Sequence, residues 1–265
     1  MNERWRQRKP VQGRVDTNKM VDTAYDKETA KAYDRHRFDD KGGMAIHRSE
    51  LSHLLKALQS EPTSSRLLEV GCGTGRFLEE LWQRGYQPTG VDPSEPMLKE
   101  CQAKLSEAYP EISLKKGEAA KLEEGDGGHD FVYSIRVVNQ MGTSDYAFAA
   151  LKEMARVVAP GGKLLLEYMN ASRPNFAKNR VRLGSEQCDR GIAENVKLTR
   201  KQVIEKARSF GLEERRYSGS FFLGMTSYYV VPKLFTGIWA KFDQILSSIF
   251  PSLCSRNYIL FDRPE

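Results

Sequence analysis

The chain has 265 residues, of which 40% are hydrophobic and 10% aromatic, enough for one large globular domain or a domain with an appendage. Its formal net charge is +6, and its four cysteines include no Cys-x-x-Cys pair, which argues against a metal site or a disulfide framework and favours a reducing cytoplasm. The sequence contains no run of about 18 apolar residues, so no membrane-spanning helix is predicted. The charged N-terminus lacks the apolar stretch of a secretory signal.

The first 20 residues form a strongly basic segment. They hold six arginines and lysines against two acidic residues, with few apolar side chains that could anchor them to a core. This composition predicts a flexible, solvated tail. The alternative is an arm that contacts an anionic lipid surface or a nucleic acid.

Residues 21–60 are predicted to be largely helical. Within residues 21–38, two Tyr-Asp pairs that begin at Tyr25 and Tyr33 flank a stretch rich in lysine and alanine. Residues 39–43 are predicted to be a loop. Residues 44–58 then repeat apolar side chains at helical spacing on one face, which predicts an amphipathic helix.

A buried strand and a glycine-rich turn come next. Residues 67–70 read Leu-Leu-Glu-Val, and glycines then alternate at Gly71, Gly73 and Gly75 before a predicted helix. Such a turn lets the backbone approach a ligand and directs free N–H groups toward it. The turn lacks the Gly-Lys-Ser/Thr ending of a P-loop, and Arg76 stands where a dinucleotide-binding fingerprint has its third glycine.

Further motifs follow in the order of a parallel sheet. Residues 86–91 predict a second strand that ends at Asp92, whose carboxylate could accept hydrogen bonds from both hydroxyls of a ribose. A third short strand precedes Glu118, and residues 130–135 predict a fourth strand. A helix, a Pro-Gly-Gly turn at residues 160–162 and a fifth strand complete the series.

The motif Glu-x-Gly-x-Gly-x-Gly at residues 69–75, followed by Asp92, the Glu118-Ala119 pair and the Pro-Gly-Gly turn, resembles class I S-adenosylmethionine (SAM) methyltransferases. The resemblance implies a doubly wound, Rossmann-like α/β fold whose seven-stranded sheet has the order 3-2-1-4-5-7-6, with the last strand antiparallel. It also implies SAM as the cofactor, S-adenosylhomocysteine (SAH) as the product, and methyl transfer as the activity.

The resemblance also assigns parts of the cofactor to residues. The glycine turn would wrap the methionine part of SAM with Glu69 behind it, and Asp92 would bind the ribose. Met97 would lie against the adenine, although ordinary packing between helix and sheet explains this residue equally well. Glu118 would meet the adenine amino group, and it departs from the aspartate usual at this place by a longer arm.

Residues 21–38 resemble the N-terminal segment of small-molecule and quinone-pathway methyltransferases, which implies a helical lid over the cofactor. Tyr25 or Tyr33 would then cover SAM, and Arg35 or Arg37 would pair with its carboxylate; a helix packed on the sheet with solvated charges is the alternative. The predicted cofactor-binding residues are Tyr25, Tyr33, Arg37, Glu69, Gly71, Cys72, Gly73, Gly75, Asp92, Pro93, Met97, Glu118, Ala119 and Ile135.

The C-terminal part departs from the common core. Residues 171–198 are polar and basic, at the place where the family builds its acceptor site. A capping box at Thr199 predicts a helix, followed by a sixth strand at residues 212–218 and an antiparallel seventh at residues 257–261. Residues 221–255 form an insertion between these two strands, longer than a plain hairpin needs.

The insertion carries a strongly apolar predicted helix. Four interpretations fit it: packing on its own domain, a wall of a lipophilic acceptor pocket, a dimer interface, or peripheral contact with a membrane.

The whole chain is predicted to divide into a basic tail at residues 1–20, a lid at residues 21–60 and a methyltransferase domain at residues 61–265.

The residue that could act as a general base is not evident. Related enzymes often have a histidine near positions 139 and 140, whereas this chain has Asn139 and Gln140. Tyr168 after the fifth strand and His36 in the lid are the other candidates. Because the sulfonium of SAM already activates the methyl group, the protein mainly has to align the reactants for an in-line displacement.

The acceptor class follows by exclusion. After the fourth strand, nucleobase amino-methyltransferases have an Asn/Asp-Pro-Pro-aromatic segment, and this chain reads Ser-Ile-Arg-Val at residues 134–137. The sequence thus favours a small, lipophilic or aromatic acceptor over nucleic acid. The alternatives are a nucleic-acid methyltransferase, a catalytically silent SAM-fold binding protein, and a nicotinamide-dependent oxidoreductase, against which Arg76 argues.

Overall fold

The computed structural model of the protein describes residues 26–38, 40–173, 195–232 and 234–265, without the side chains of His36 and Arg37. The predicted basic tail, Tyr25 and most of the polar segment after the fifth strand lie outside these residues. In the described ranges, no helix is both long and apolar enough to cross a bilayer.

A mixed sheet forms the centre of the molecule. Its spatial order is β3-β2-β1-β4-β5-β8-β7, and β8 runs antiparallel to both of its neighbours. The strands are β1 Leu67–Val70, β2 Thr89–Asp92, β3 Ser113–Lys116, β4 His129–Ser134, β5 Val158–Asn170, β6 Lys197–Leu198, β7 Glu213–Ser220 and β8 Arg256–Asp262. This arrangement confirms the predicted order. The sheet also contains the short strand β6 beside β5. This strand was not predicted, because two residues are too few to show a periodic pattern.

Helices cover both faces of the sheet. They are α1 Lys27–Phe38, α2 Lys41–Leu58, α3 Arg76–Trp82, α4 Glu95–Leu105, α5 Ser144–Val157, α6 Arg200–Ser209, α7 Ser227–Val230 and α8 Thr236–Ile249, with 3-10 turns at Val138–Gln140 and Pro251–Leu253. The predicted capping box is present at α6, because the Thr199 side chain accepts from the Gln202 backbone N–H and the Gln202 side chain accepts from the Thr199 N–H.

The two faces of the sheet bury separate apolar clusters. Neighbouring residues of one strand point to opposite faces, so continuous apolar runs such as Leu67-Leu68 serve both. One cluster joins the sheet to α5 and α6 through Leu68, Val132, Leu164, Leu166, Leu151, Met154 and Val203. The other joins it to α2 and α3 through Leu67, Phe131, Tyr133, Leu165, Leu54, Leu58, Phe77 and Leu81.

The predicted loop over residues 39–43 is wrong for its second half, because α2 already begins at Lys41. Asp40 caps the helix by accepting from the Gly43 backbone N–H at 2.6 Å. Gly42 is buried, and a Cβ atom there would lie 2.8 Å from the backbone oxygen of Tyr228. Gly42 therefore permits close packing on α7, and both glycines belong to the helix.

The insertion orients α8 in an unexpected way. The helix buries the polar side chains of Thr236, Asp243 and Ser247. Apolar side chains face outward, with exposed fractions between 45% and 82%; they are Tyr229, Val230, Leu234, Phe235, Ile238, Phe242, Ile245, Ile249 and Phe250. The interpretation that α8 packs on its own domain holds for Trp239 and Ala240, which contact the cluster of Ile46, Phe221 and Tyr228, but not for the outward-facing apolar residues. The interpretations of α8 as a dimer interface and as a membrane contact stay predictions.

Polar contacts hold α8 in that orientation. The Asp243 carboxylate accepts from the Leu223 backbone N–H at 2.7 Å and from the Tyr228 hydroxyl at 2.8 Å. The Trp239 indole N–H donates to the Ser227 hydroxyl at 2.9 Å. Because buried polar groups require such partners, these bonds determine which side of the helix faces inward.

Candidate functional site

A cavity lies at the carboxyl ends of β1, β2 and β4, with Tyr33 of α1 on its wall. Binding sites in doubly wound folds occupy this edge of the sheet. The predicted cofactor residues that line the cavity are Tyr33, Glu69, Gly71, Cys72, Gly73, Asp92, Pro93, Met97, Glu118, Ala119 and Ile135. Tyr25 and the Arg37 side chain lie outside the described structure. No residue of α8 lines the cavity, so among the described residues the helix is not a wall of this pocket.

The backbone conformation and the close packing of the glycine turn require glycine. Gly71, Gly73 and Gly75 all have positive φ angles, of 83°, 54° and 78°, which other residues rarely adopt. A Cβ atom at Gly71 would lie 2.3 Å from Cγ2 of Val137, and one at Gly75 would lie 2.4 Å from Sγ of Cys101. Gly75 is absent from the cavity wall, so its structural role is to let α3 pack on α4.

Asp92 is held in one orientation by two backbone donors. Its Oδ2 accepts from the Gly73 N–H at 2.8 Å, and its Oδ1 accepts from the Ser94 N–H at 2.9 Å. Burial raises the pKa of the carboxyl to about 6, against the lowering effect of these two hydrogen bonds. The group is thus ionised at neutral pH, and its remaining lone pairs can accept hydrogen bonds from a ligand.

Glu69 has the opposite charge state. Burial raises the pKa of its carboxyl to about 8, although the Tyr133 hydroxyl donates to it at 3.1 Å. Glu69 is therefore protonated at neutral pH, and the floor of the cavity below the glycine turn is uncharged. Two carboxyl groups of the same cavity consequently differ in ionisation because only Asp92 has two backbone donors.

We predict that Glu69→Gln makes the protein more stable than wild type above neutral pH. The folded pKa of about 8 exceeds the unfolded value of 4.5, so wild type loses stability as the pH rises through this interval. The loss amounts to roughly 1.4 kcal/mol for each pH unit. Glutamine keeps an acceptor for Tyr133 and cannot ionise.

Urea denaturation of both proteins at about pH 5, 7 and 9, a range that spans the titration of Glu69, measures this difference. The two should be similar at the lowest pH and diverge above it. Glu95→Gln, which changes an exposed carboxylate paired with Lys99, is the control. A constant difference between Glu69→Gln and wild type at all pH values would show that Glu69 does not titrate in this range.

A chain of buried charges forms another side of the cavity. Glu50 of α2, 1% exposed, forms ion pairs with Arg76 at 2.8 Å and with Arg136 at 3.2 Å. Burial alone would raise the pKa of Glu50, but the two arginines outweigh it and lower the pKa. Behind them, Glu167 pairs with Arg256 at 3.0 Å. Arg76 and Arg136 line the cavity.

This network was not predicted from the sequence, although a signal for Glu50 was present. Glu50 stands four residues after Ile46 and four before Leu54, so it lies on the apolar face of the predicted helix. A carboxylate on such a face needs a buried cation as a partner. Its partners, Arg76 and Arg136, are too distant in sequence to be identified from the pattern.

The structure brings only one of the catalytic candidates with described side chains into the cavity. Gln140 lies on the wall and donates to the Arg136 backbone oxygen at 2.6 Å. Asn139 lies off the wall, where it donates to Asn195 and accepts from Arg256.

Tyr168 is fully buried in the apolar cluster below α5 and α6, and burial raises its pKa. This corrects the expectation that Tyr168 or Asn139 faces the reacting groups. The side chain of His36 is outside the described structure.

Tyr146 lines the cavity without having been predicted. Its hydroxyl donates to Oε2 of Glu118 at 3.3 Å. Tyr146 lies near the start of α5, and no local motif distinguishes it from a packing residue. This hydrogen bond orients the Glu118 side chain in the part of the cavity next to β3.

The central part of the chain is similar to known methyltransferases. Residues 67–162 match the family model of the methyltransferase domain. A ubiquinone biosynthesis O-methyltransferase of Maricaulis maris is 31% identical over 113 residues, 42% of this chain and 43% of that protein. A probable tRNA methyltransferase 9B of Bos taurus is 29% identical over 149 residues, 55% of this chain and 31% of that protein. The chain thus spans less than half the length of either relative.

Solved structures show the same fold. The magnesium protoporphyrin IX methyltransferase of Synechocystis, solved with bound SAM, has a TM-score of 0.64 at 14% identity, over 96% of this chain and 100% of that chain. The phosphoethanolamine N-methyltransferase 2 of Haemonchus contortus has a TM-score of 0.62 at 17% identity, over 96% of this chain and 61% of that chain. These likenesses confirm the predicted Rossmann-like methyltransferase fold.

Proposed function

Because residues 67–162 match the methyltransferase domain family, we propose that the protein binds SAM and transfers its methyl group to an acceptor. The first acceptor class is a small, lipophilic or aromatic molecule. The observation that carries the proposal is the ionised Asp92 carboxylate, held by Gly73 and Ser94 beside the glycine turn. Two ribose hydroxyls can both donate to such a group.

The rest of the cavity fits the other parts of SAM. The positive φ angles at Gly71 and Gly73 leave backbone close to the methionine part. Met97 supplies an apolar surface for the adenine, and Glu118, oriented by Tyr146, supplies an acceptor for its amino group. When bound, SAM provides a methyl group already activated by the positive sulfur.

The residues of this chain then act by alignment. A cavity wall that holds both reactants in line can lower the barrier by about 7–11 kcal/mol. Gln140 is a polar group on the wall that can orient an acceptor, and Tyr33 contributes to closing the cavity from α1. Apolar residues such as Ile135 and Val137 help exclude water from the sulfonium, whose positive charge disappears during methyl transfer.

A nucleotide of tRNA is the second acceptor class. Relatives named as tRNA methyltransferases match this chain as well as the ubiquinone relative does, and the net charge of +6 suits a polyanion. We therefore give both acceptor classes equal standing. A protein that binds SAM without transferring the methyl group is the remaining alternative.

Calorimetric titration with SAM, SAH and NADH tests the cofactor. We expect binding of both adenosyl compounds and none of NADH; binding of NADH alone would contradict the proposal. Transfer of a labelled methyl group from SAM is then measured with a panel of hydrophobic phenols and quinols and, separately, with total tRNA. Label in the phenols or in the tRNA decides between the acceptors, and SAM binding without label in either favours the silent binding protein.

A further inference from the structure

One side of α8 carries large apolar side chains at the spacing of a helix that pairs with another helix. The positions alternate by three and four residues, from the N-cap residue to the last residue of the helix. They are Phe235, Ile238, Phe242, Ile245 and Ile249, and their exposed fractions lie between 51% and 69%. Alternating steps of three and four are the heptad spacing of coiled-coil contacts. These five residues form the α8 seam.

The α8 seam faces away from its own domain. Thr236, Asp243 and Ser247 mark the inward side of the helix, and at 3.6 residues per turn the seam lies roughly 140° around the helix from them. The Asp243 carboxylate holds this rotation, because it accepts from the Leu223 backbone N–H and from the Tyr228 hydroxyl. Turning the seam inward would break both bonds and leave the Leu223 N–H without its acceptor.

The exposed apolar surface of the insertion is large. Four further exposed apolar residues precede or follow the seam, namely Tyr229, Val230, Leu234 and Phe250. Together the nine side chains expose roughly 1,000 Å², at about 150–250 Å² for a fully exposed large side chain. A stable interface buries about 800 Å² from each partner, and the largest apolar patch of a typical monomer has about 300–600 Å². The surface is therefore of the size that a stable dimer buries.

The helix is already formed and held before any partner binds. A 14-residue helix is marginal by itself in water, because ordering its first turn is unfavourable. Here contacts with the domain hold the helix: Trp239 and Ala240 contact a buried cluster beneath it, and the Trp239 indole N–H donates to the Ser227 hydroxyl at 2.9 Å. A helix that is already fixed loses little further freedom on pairing, which favours association.

The distribution of charge favours a second copy of this chain over a membrane. Lys241 and the buried Asp243 are the only charged residues of α8. Helices that bind a membrane surface usually carry several lysines or arginines, which attract anionic lipids. A seam without charges brings no like charges together when it meets its own copy. Residues 1–25 and 174–194, outside the described structure, are mostly polar and basic and contain no run of apolar residues that matches the seam.

We propose that α8 forms the interface of a symmetric homodimer, in which the α8 seam of one copy packs on the α8 seam of the second copy. Such a two-fold contact uses the same surface on both copies. The large apolar side chains of each seam fill the spaces between those of the other, as in a coiled coil. This inference goes beyond the proposed function and does not depend on it, since no described residue of α8 lines the cavity.

Sedimentation velocity of the full chain across the micromolar range tests the interface. The variant Ile245→Glu places a carboxylate in the middle of the seam, at a residue that is 57% exposed within one copy and is therefore not needed for folding. Gln244→Glu is the matched control, because it adds the same charge at the neighbouring exposed position of α8, outside the seam. Circular dichroism checks that both variants are folded.

We expect wild type to sediment with twice the mass of one chain. Ile245→Glu should weaken the dimer by about 100-fold, because each copy would bury a carboxylate without a partner. Gln244→Glu should associate as wild type does. The inference is overturned if wild type is monomeric throughout this range, if Ile245→Glu remains dimeric, or if Gln244→Glu dissociates as readily as Ile245→Glu.

A membrane surface is the competing occupant of the seam. Flotation with vesicles of phosphatidylcholine and phosphatidylglycerol is compared for wild type, Ile245→Glu and Gln244→Glu. We expect the fraction of protein that floats to be the same for all three. Loss of flotation in Ile245→Glu alone would assign the seam to lipid and overturn the inference, whereas the proposed function, which calorimetry with SAM tests separately, would stand.

Discussion

Replacing Asp92 with asparagine is expected to weaken SAH binding by roughly 100-fold, because hydrogen bonds to a charged group contribute about 1.5–3 kcal/mol each. In wild type the carboxylate uses one lone pair on each oxygen for Gly73 and Ser94 and keeps the others for the ligand. Asparagine replaces one oxygen by an amino group, so it cannot satisfy both backbone donors and both ribose hydroxyls. Calorimetry with SAH measures the loss.

The ionisation of Asp92 provides a second readout. Since its pKa is about 6 in the free protein, SAH affinity in wild type should fall as the pH drops below this value, and the affinity of Asp92→Asn should not. Asp130→Asn is the matched control, because Asp130 pairs with Arg66 at the opposite end of β4. Near-normal affinity of a folded Asp92→Asn protein would refute the ribose-binding role.

The substitution Glu50→Gln is expected to lower the free energy of unfolding by about 3–5 kcal/mol, the usual effect of removing one partner of a buried ion pair. Glu50 is 1% exposed and faces both Arg76 and Arg136, which are about 85% buried themselves. Without its charge, two neighbouring cations would repel each other in a poorly solvated place. Urea denaturation with an unchanged m-value measures the loss.

A double variant separates charge repulsion from lost packing. Adding Arg76→Gln to Glu50→Gln removes one of the two cations, so the double variant should lose less stability than the sum of the single variants. The control Glu95→Gln breaks an exposed pair with Lys99 and should cost well below about 1 kcal/mol. A loss of that small size in Glu50→Gln would mean that Glu50 contributes no net stabilisation to the network.

Much of the fold was predictable because its signals are local. The glycine turn at residues 71–75 and the capping box at Thr199 are short motifs whose backbone requirements few other residues meet. Apolar runs such as residues 67–70 predicted buried strands for the same reason. These signals, taken in order, were sufficient to predict the order of the sheet.

The candidate site was predictable only in part. Residues that follow a strand directly, such as Gly71, Asp92 and Ile135, were assigned to the cavity because strand ends meet at one edge of a parallel sheet. Tyr168 was predicted to follow the fifth strand, but β5 continues to Asn170, so Tyr168 lies within the strand and its side chain is buried in the apolar cluster. The direction of a side chain near a strand end depends on pleat register and twist, which the sequence pattern does not specify.

Contiguous residues were enough to predict the strand-turn-helix at the site, the position of Asp92 and the order of the elements. The ion pair between Glu50 and Arg136, which lie 86 positions apart in sequence, was visible only in the tertiary structure. The tertiary structure also decided that α8 turns its apolar side outward, where buried hydrogen bonds of Asp243 override the helical pattern. In each case the outcome depends on which distant polar groups share a space from which water is excluded.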